Sequence, residues 1–242
     1  MKPKGNLGRS VCRAGLAALV WGGLFAASAG AKTVKVGQLF TPNFTCSPGR
    51  TALQTGVASG PSYTVPKAGV ITSWSWHDGV NIVPKLRLKV GRPTGTANTY
   101  KIVGQDTAGT QTPNTVHTYS AHIPVRAGDL IGVYQHGGSC LSITGNAGDT
   151  DVETSGNIPP GTTRAFLDGG SDIKWPVSAK IALDCVVPNL KGKTLKSAKK
   201  SLKANSCTLG TVKGPRNDTV KSQKPAAGKT LAPGAKVNVR LG

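Results

Sequence analysis

The sequence predicts an all-β sandwich, jelly-roll-like and of about nine strands, followed by a small α+β module at the C-terminus. Three observations carry this expectation. From Lys32 to Asp184, short runs of alternating apolar and polar residues recur between clusters of Gly, Pro, Asn and Ser, and no helical period is sustained. At Cys185 the composition breaks, and a helical period and two further alternating runs fill residues 185–242. Four cysteines follow the N-terminal apolar run, two on each side of that break.

The first element is not part of either fold. "MKPKGNLGRSVCRAGLAALVWGGLFAASAG" has a basic head, an uncharged run from Ala14 to Ala31, and small residues at Ala27, Ser28 and Ala29 or at Ala29, Gly30 and Ala31. This is the layout of an export signal, so residues 1–31 are expected to be a signal peptide, with the mature chain beginning at Gly30 or Lys32. An uncleaved membrane anchor is the competing reading, because the run approaches spanning length. Cys12 precedes the apolar run, which argues against a lipoprotein. No later segment is expected to cross a bilayer.

Residues 32–184 supply the sandwich. Its strongest strand is "VPKLRLKVGRP", in which Leu86, Leu88 and Val90 face one way and Lys85, Arg87 and Lys89 the other, as on a half-buried strand. The runs "SYTVP", "GVITSWSWH", "TYKIVG", "HTYSAHIPV", "DLIGVYQ", "CLSIT", "TRAFLD" and "SAKIALD" read likewise, separated by turn chemistry such as "GRPTGTAN" and "NIPPG". So many short strands in this length suit two packed sheets around one core. In "RAGDLIG", Ala127 and Gly128 make a turn and Asp129 bonds its backbone. The stretches "TALQTG", "YTVPKAGVITSWSW", "LRLKVGRPTG" and "IPVRAGDLIGVY" resemble exported bacterial β-sandwich modules, and that resemblance implies no activity.

Catalytic and metal-binding constellations are sparse. No G-x-S-x-G, H-E-x-x-H, C-x-x-C or G-x-x-x-x-G-K-[ST] occurs, so no enzymatic activity, cofactor or metal is expected. Of His77, His117, His122 and His136, His77 beside Asp78 is the best acid/base candidate, and a polar strand end is the plainer account. "GDTDVE" spaces Asp149, Asp151 and Glu153 on alternate positions, where three carboxylates would share a strand face. Calcium wants six to eight oxygens, so a solvated acidic face is the plainer reading here too. Trp74 and Trp76 lie two apart on one strand. Their rings either offer a glycan-stacking platform or fill the inter-sheet core, and a chain this poor in Phe and Tyr favours the core.

The last element carries the charge. Residues 185–242 hold 13 Lys and Arg against Asp218 alone, a net +12, whereas residues 32–184 hold 13 against 9, a net +4. Outside the cell the available anions are wall polymers, acidic glycans and lipid headgroups, so nucleic acid is not the expected partner. Leu195, Ala198 and Leu202 recur at i, i+3 and i+7, with Thr194 as N-cap, and this predicts a helix to about Asn205. Lys196, Lys199, Lys200 and Lys203 then populate its flanks and outer face. "CTLGTV" and "KVNVRL" alternate as strands, and Pro225, Gly228, Pro233 and Gly234 set corners between them.

Val187, Pro188, "LKGKTLKSAKKSL", "LGTV" and "VKSQKPAAGKTLAPGAKVNVRL", in this order, resemble one complete PASTA domain, including the Gln-x-Pro-x-x-Gly turn at Gln223, Pro225 and Gly228. The resemblance implies a small sheet with the helix laid across it and binding to peptidoglycan fragments, or a spacer role, with no catalysis. An even cysteine count in an oxidising compartment favours two disulfides, and three pairings are possible. The break at Cys185 favours pairing within segments, Cys46 with Cys140 and Cys185 with Cys207. The expected protein is therefore secreted and wall-associated, with Lys196, Lys199, Lys200, Lys203, Lys221 and Arg240 contacting peptidoglycan fragments or anionic wall polymer. The alternative is a glycan-binding or adhesive sandwich with the PASTA domain as a passive tether.

Overall fold

Alternation in sequence becomes alternation in burial across two sheets. The structure, a computed structural model, describes residues 31–242; the expected signal segment lies outside them except for Ala31. The strands of the first part are β1 (Thr33–Gly37), β2 (Phe44–Thr45), β3 (Arg50–Gly56), β4 (Gly69–His77), β5 (Arg87–Pro93), β6 (Thr99–Thr107) and β7 (Val116–Val125). There follow β8 (Leu130–Gln135), β9 (Ser139–Ile143), β10 (Thr150–Ser155), β11 (Thr163–Ala165), β12 (Leu167–Ser171), β13 (Ile173–Lys174) and β14 (Val177–Leu183). They assemble as a four-stranded sheet β1-β14-β4-β7, a seven-stranded sheet β11-β6-β5-β8-β3-β10-β12 and a small sheet β13-β9-β2.

Among the described residues this gives 14 strands before residue 184 rather than about nine. The difference has a physical cause. Strands such as β1 and β10 are only five and six residues long and are held by partners far away in sequence, Thr33 opposite Ala182 and Leu53 opposite Val152. Conversely "SYTVP" forms only an isolated bridge from Thr64 to Leu130, and "TRAFLD" is divided between β11 and β12.

The main core lies between the four- and seven-stranded sheets. Val36, Ile71, Trp74, Trp76, Ala179 and Ile181 meet Ala52, Leu88, Val90, Ile131 and Val133 there. Cys46 and Cys140 are disulfide-bonded across 94 residues, with Cα atoms 5.9 Å apart, and fix β9 against the chain that follows β2. A second apolar cluster lies on the other face of the seven-stranded sheet, where Ile158 and Phe166 cover Leu53, Tyr100, Ile102 and Val152.

That cover overturns the solvent-facing assignment of Lys89. Its side chain is fully buried, and Nζ donates to Gln105 Oε1 at 2.6 Å, Asn157 Oδ1 at 2.5 Å and the Ile158 carbonyl at 2.7 Å. Burial lowers its pKa to about 8, with the nearby Arg87 charge acting in the same direction. Three acceptors match the three donors of an ammonium, which is how a lysine is tolerated inside a sandwich. Asp129 is buried too, and takes the Arg126 N–H at 2.8 Å as the turn chemistry requires, together with a two-pronged Arg92 guanidinium at 2.7 and 2.8 Å.

The C-terminal part has its own core. It comprises β15 (Cys185–Val186), α1 (Leu195–Ala204), β16 (Thr208–Lys213), β17 (Val220–Lys224), β18 (Thr230–Leu231) and β19 (Lys236–Leu241). β16 runs parallel and β17 antiparallel to the central β19, while β15 pairs with β18. Ala198 and Leu202 of α1 pack with Val187, Leu190, Val220, Val237, Val239 and Leu241, and no aromatic residue takes part. The Cys185–Cys207 disulfide, with Cα atoms 4.7 Å apart, ties β15 to the residues just after the helix.

Candidate functional site

The helix forms where its local signals place it. Thr194 caps it, accepting the Ser197 N–H at 3.3 Å, and Lys203 stands in its last turn, beside the negative end of the helix dipole. Burial of Ala198 and Leu202 turns Lys196, Lys199, Lys200 and Lys203 outward, and all four are exposed. Lys199, Lys200 and Lys203 line one cleft of about 740 Å³ whose remaining wall is Ala31, Lys32, Ala204, Cys207, Thr208 and Leu209. Four ammonium groups therefore rim a largely apolar floor. Lys32 was invisible to sequence reasoning. It arrives because its carbonyl accepts the Leu183 N–H at 2.9 Å, which holds the start of the sandwich beside the end of β14 and hence beside β15.

The other three expected contacts, Lys196, Lys221 and Arg240, lie outside this cleft. On β19, Val237, Val239 and Leu241 face the helix side, so Arg240 points to the opposite face of the sheet. There it shares a shallow pocket of about 370 Å³ with Lys213, Lys224, Ser222 and Asn238. Lys213 and Ser222 stand directly opposite Arg240 on the flanking strands. The six expected residues thus do not form one site, and Lys196 and Lys221, though exposed, line neither surface. Among the described residues, no carboxylate lies within ion-pair distance of any of the six.

The turn at Gln223 is structural. Its Nε2 donates to the Pro188 carbonyl at 3.0 Å and its Oε1 accepts the Leu190 N–H at 2.7 Å, so one side chain clamps the incoming strand to β17.

In the sandwich the candidate groups find internal partners. Trp74 and Trp76 are 1% and 0% exposed, so the stacking platform does not exist; both rings fill the core. Their indole N–H groups donate to Asp106 at 2.6 Å and Asp78 at 3.1 Å, and Trp175 repeats the arrangement with Asp151 at 2.8 Å. Asp78 therefore faces Trp76 and, at 3.7 Å, His117 rather than His77. His117 Nε2 accepts the Thr112 N–H at 2.8 Å.

The three carboxylates of "GDTDVE" separate. Asp149 accepts from Ala58 N–H and the Thr144 hydroxyl, Asp151 from Trp175, and Glu153 pairs loosely with Arg50 at 3.7 Å. Among the described residues no group of three or more His, Cys, Asp or Glu is placed to hold a metal ion. Asp151 is 2% exposed, its Oδ1 has no partner, and burial raises its pKa to about 7 despite the Trp175 hydrogen bond.

The C-terminal part is thus a helix laid on a three-stranded sheet, braced by one disulfide and cationic on both outer faces. Residues 186–242 match the PASTA domain family, and this part of the chain is a PASTA domain preceded by a strand-rich region. No curated protein and no solved structure matches the chain.

Proposed function

We propose that this is an exported, non-enzymatic, wall-associated protein whose PASTA domain binds peptidoglycan or anionic wall polymer and displays the sandwich. In this reading residues 1–31 are removed on export, residues 32–184 fold as the sandwich and residues 185–242 as the PASTA domain. The observation that carries it is the cleft in which Lys199, Lys200 and Lys203 converge with Lys32, without a neutralising carboxylate. Stem-peptide carboxylates, phosphates and uronates are anions of the kind such a rim attracts. Two disulfide-paired cysteine sets fit an oxidising, extracellular setting. No helix among the described residues is long and apolar enough to cross a membrane.

Each exposed lysine contributes roughly 0–1 kcal/mol to such a contact, so retention depends on several acting together. Screening lengths fall from about 10 Å at 0.1 M salt to about 3 Å at 1 M, so binding weakens steeply with salt. The test is co-sedimentation of the full chain with purified wall sacculi in dilute buffer. Retention is expected for the native protein and is lost in Lys199→Ala/Lys200→Ala/Lys203→Ala. A native chain that folds yet stays in the supernatant ends the proposal.

A further inference from the structure

The four-stranded sheet turns Trp74, Trp76, Val36 and Ala179 to the core, and alternation sends their neighbours to the opposite face. Register arranges those neighbours in two rows that run across the strands. One row reads Lys35, Lys180, Ser73, Ser120; the next reads Ser178, Ser75, Thr118. Side chains within a row stand about 4.8 Å apart and the rows about 7 Å apart, so the face is a flat array of hydroxyls with two ammonium groups at one side. Ser178 is buried within it, Ser75 and Thr118 bond each other at 2.8 Å, and Ser73 and Ser120 stand nearest the lysines along their row. A depression of about 400 Å³ lies over Thr33, Lys35, Ser73, Ser75, Ser178 and Lys180.

Lys35 and Lys180 stand directly opposite each other on adjacent strands. Like charges in that position destabilise a sheet. Neither has a carboxylate within ion-pair distance among the described residues. Lys35 is on the edge strand β1, where a lysine discourages pairing with another chain. Lys180 has no such explanation, because β14 is flanked by β1 on one side and β4 on the other. A repulsive cation pair across the edge strand and its interior neighbour, beside serine hydroxyls, is a surface suited to an anion.

We propose that this face binds a phosphate-bearing polyol chain, with the Lys35 and Lys180 ammonium groups on one phosphate and the serine rows hydrogen-bonded to adjacent oxygens. The proposal rests on the reading that the protein meets anionic wall polymer and extends contact from the PASTA domain to the sandwich. Flatness and periodicity favour a repeating chain over a compact ligand. The two rows hold no aromatic ring for stacking on a neutral sugar and no carboxylate for a cation.

The experiment measures binding of the full chain to poly(glycerol phosphate), with dextran as the neutral polymer and duplex DNA as the competing polyanion. Lys35→Ala/Lys180→Ala is expected to bind the polymer about tenfold more weakly near 50 mM salt. Its dependence of log K on log salt should flatten by about 0.7, the change for one phosphate no longer neutralised. Lys180→Ala alone should weaken binding while leaving the melting temperature equal to or above that of the native chain, because a repulsion is relieved. The Lys199→Ala/Lys200→Ala/Lys203→Ala variant should keep residual binding that adding Lys35→Ala/Lys180→Ala removes. Unchanged affinity and salt slope in the sheet variant overturn the proposal, as does equally tight binding of DNA or dextran at this face. If the helix variant alone loses all binding, the PASTA reading stands and this one falls; if the native chain ignores the polymer, this one falls whatever the sacculi show.

Discussion

The two parts of the molecule treat charge in opposite ways. The sandwich buries Asp78, Lys89, Asp129 and Asp151 and gives each at least one internal partner, while the PASTA domain fully buries no lysine or arginine and pairs none of its six candidate cations. Core size explains the contrast. Three buried tryptophans and two apolar clusters give the sandwich enough apolar burial to offset the desolvation of a few ions. The PASTA core is aliphatic and sulfur only, so it relies on its disulfide and leaves its charge free for a ligand.

The comparison breaks most sharply at the Cys185–Cys207 bridge. Closing so short a loop contributes about 3 kcal/mol, a large share of what a domain of this size has. Cys185→Ala/Cys207→Ala is expected to unfold the PASTA domain while the sandwich stays native, read as loss of amide-exchange protection confined to residues after 185. Uniform loss across both parts would show that they fold as one unit.

A smaller effect separates them by pH. Asp151 has a folded pKa of about 7, above its ordinary 3.8, so its contribution is fully present below about pH 4 and is lost as pH rises through 7. Asp78 and Glu153 are shifted upward by burial in the same sense. The sandwich should therefore melt higher at pH 5 than at pH 7.5, by something on the order of 2 kcal/mol of stability, and Asp151→Asn should flatten that slope. The PASTA domain holds no buried carboxylate and should not follow. The smallest effect is at the helix cap, where Thr194→Ala should lower PASTA stability by about 1 kcal/mol in denaturant titration without altering the sandwich.

What the sequence made legible was mostly local. Thr194, Ala198 and Leu202 specify the helix within three turns, and Leu88 and Val90, with Leu86 just before them, specify one face of β5. Lys89 was misread because its cover, Asn157 and Ile158, comes from nearly 70 residues away. Trp74 and Trp76 announce that they share a face but not which face, since that choice belongs to the opposing sheet. Lys32 joins the cationic cleft through pairing with the far end of the sandwich, and no spacing rule reaches that distance. The array of serines was hidden in the same way, because it exists only once four strands from four distant regions lie in register.

Asp184 alone separates β14 from β15, and its own N–H is held by the Ala68 carbonyl at 3.0 Å. A tether with no slack makes chelation of a long ligand a question of reach rather than of chain statistics. Oligomers shorter than the span between the two cationic surfaces gain only single-site affinity. Under the proposed function, avidity rises once the polymer spans both surfaces, so binding would depend on polymer length as well as on charge.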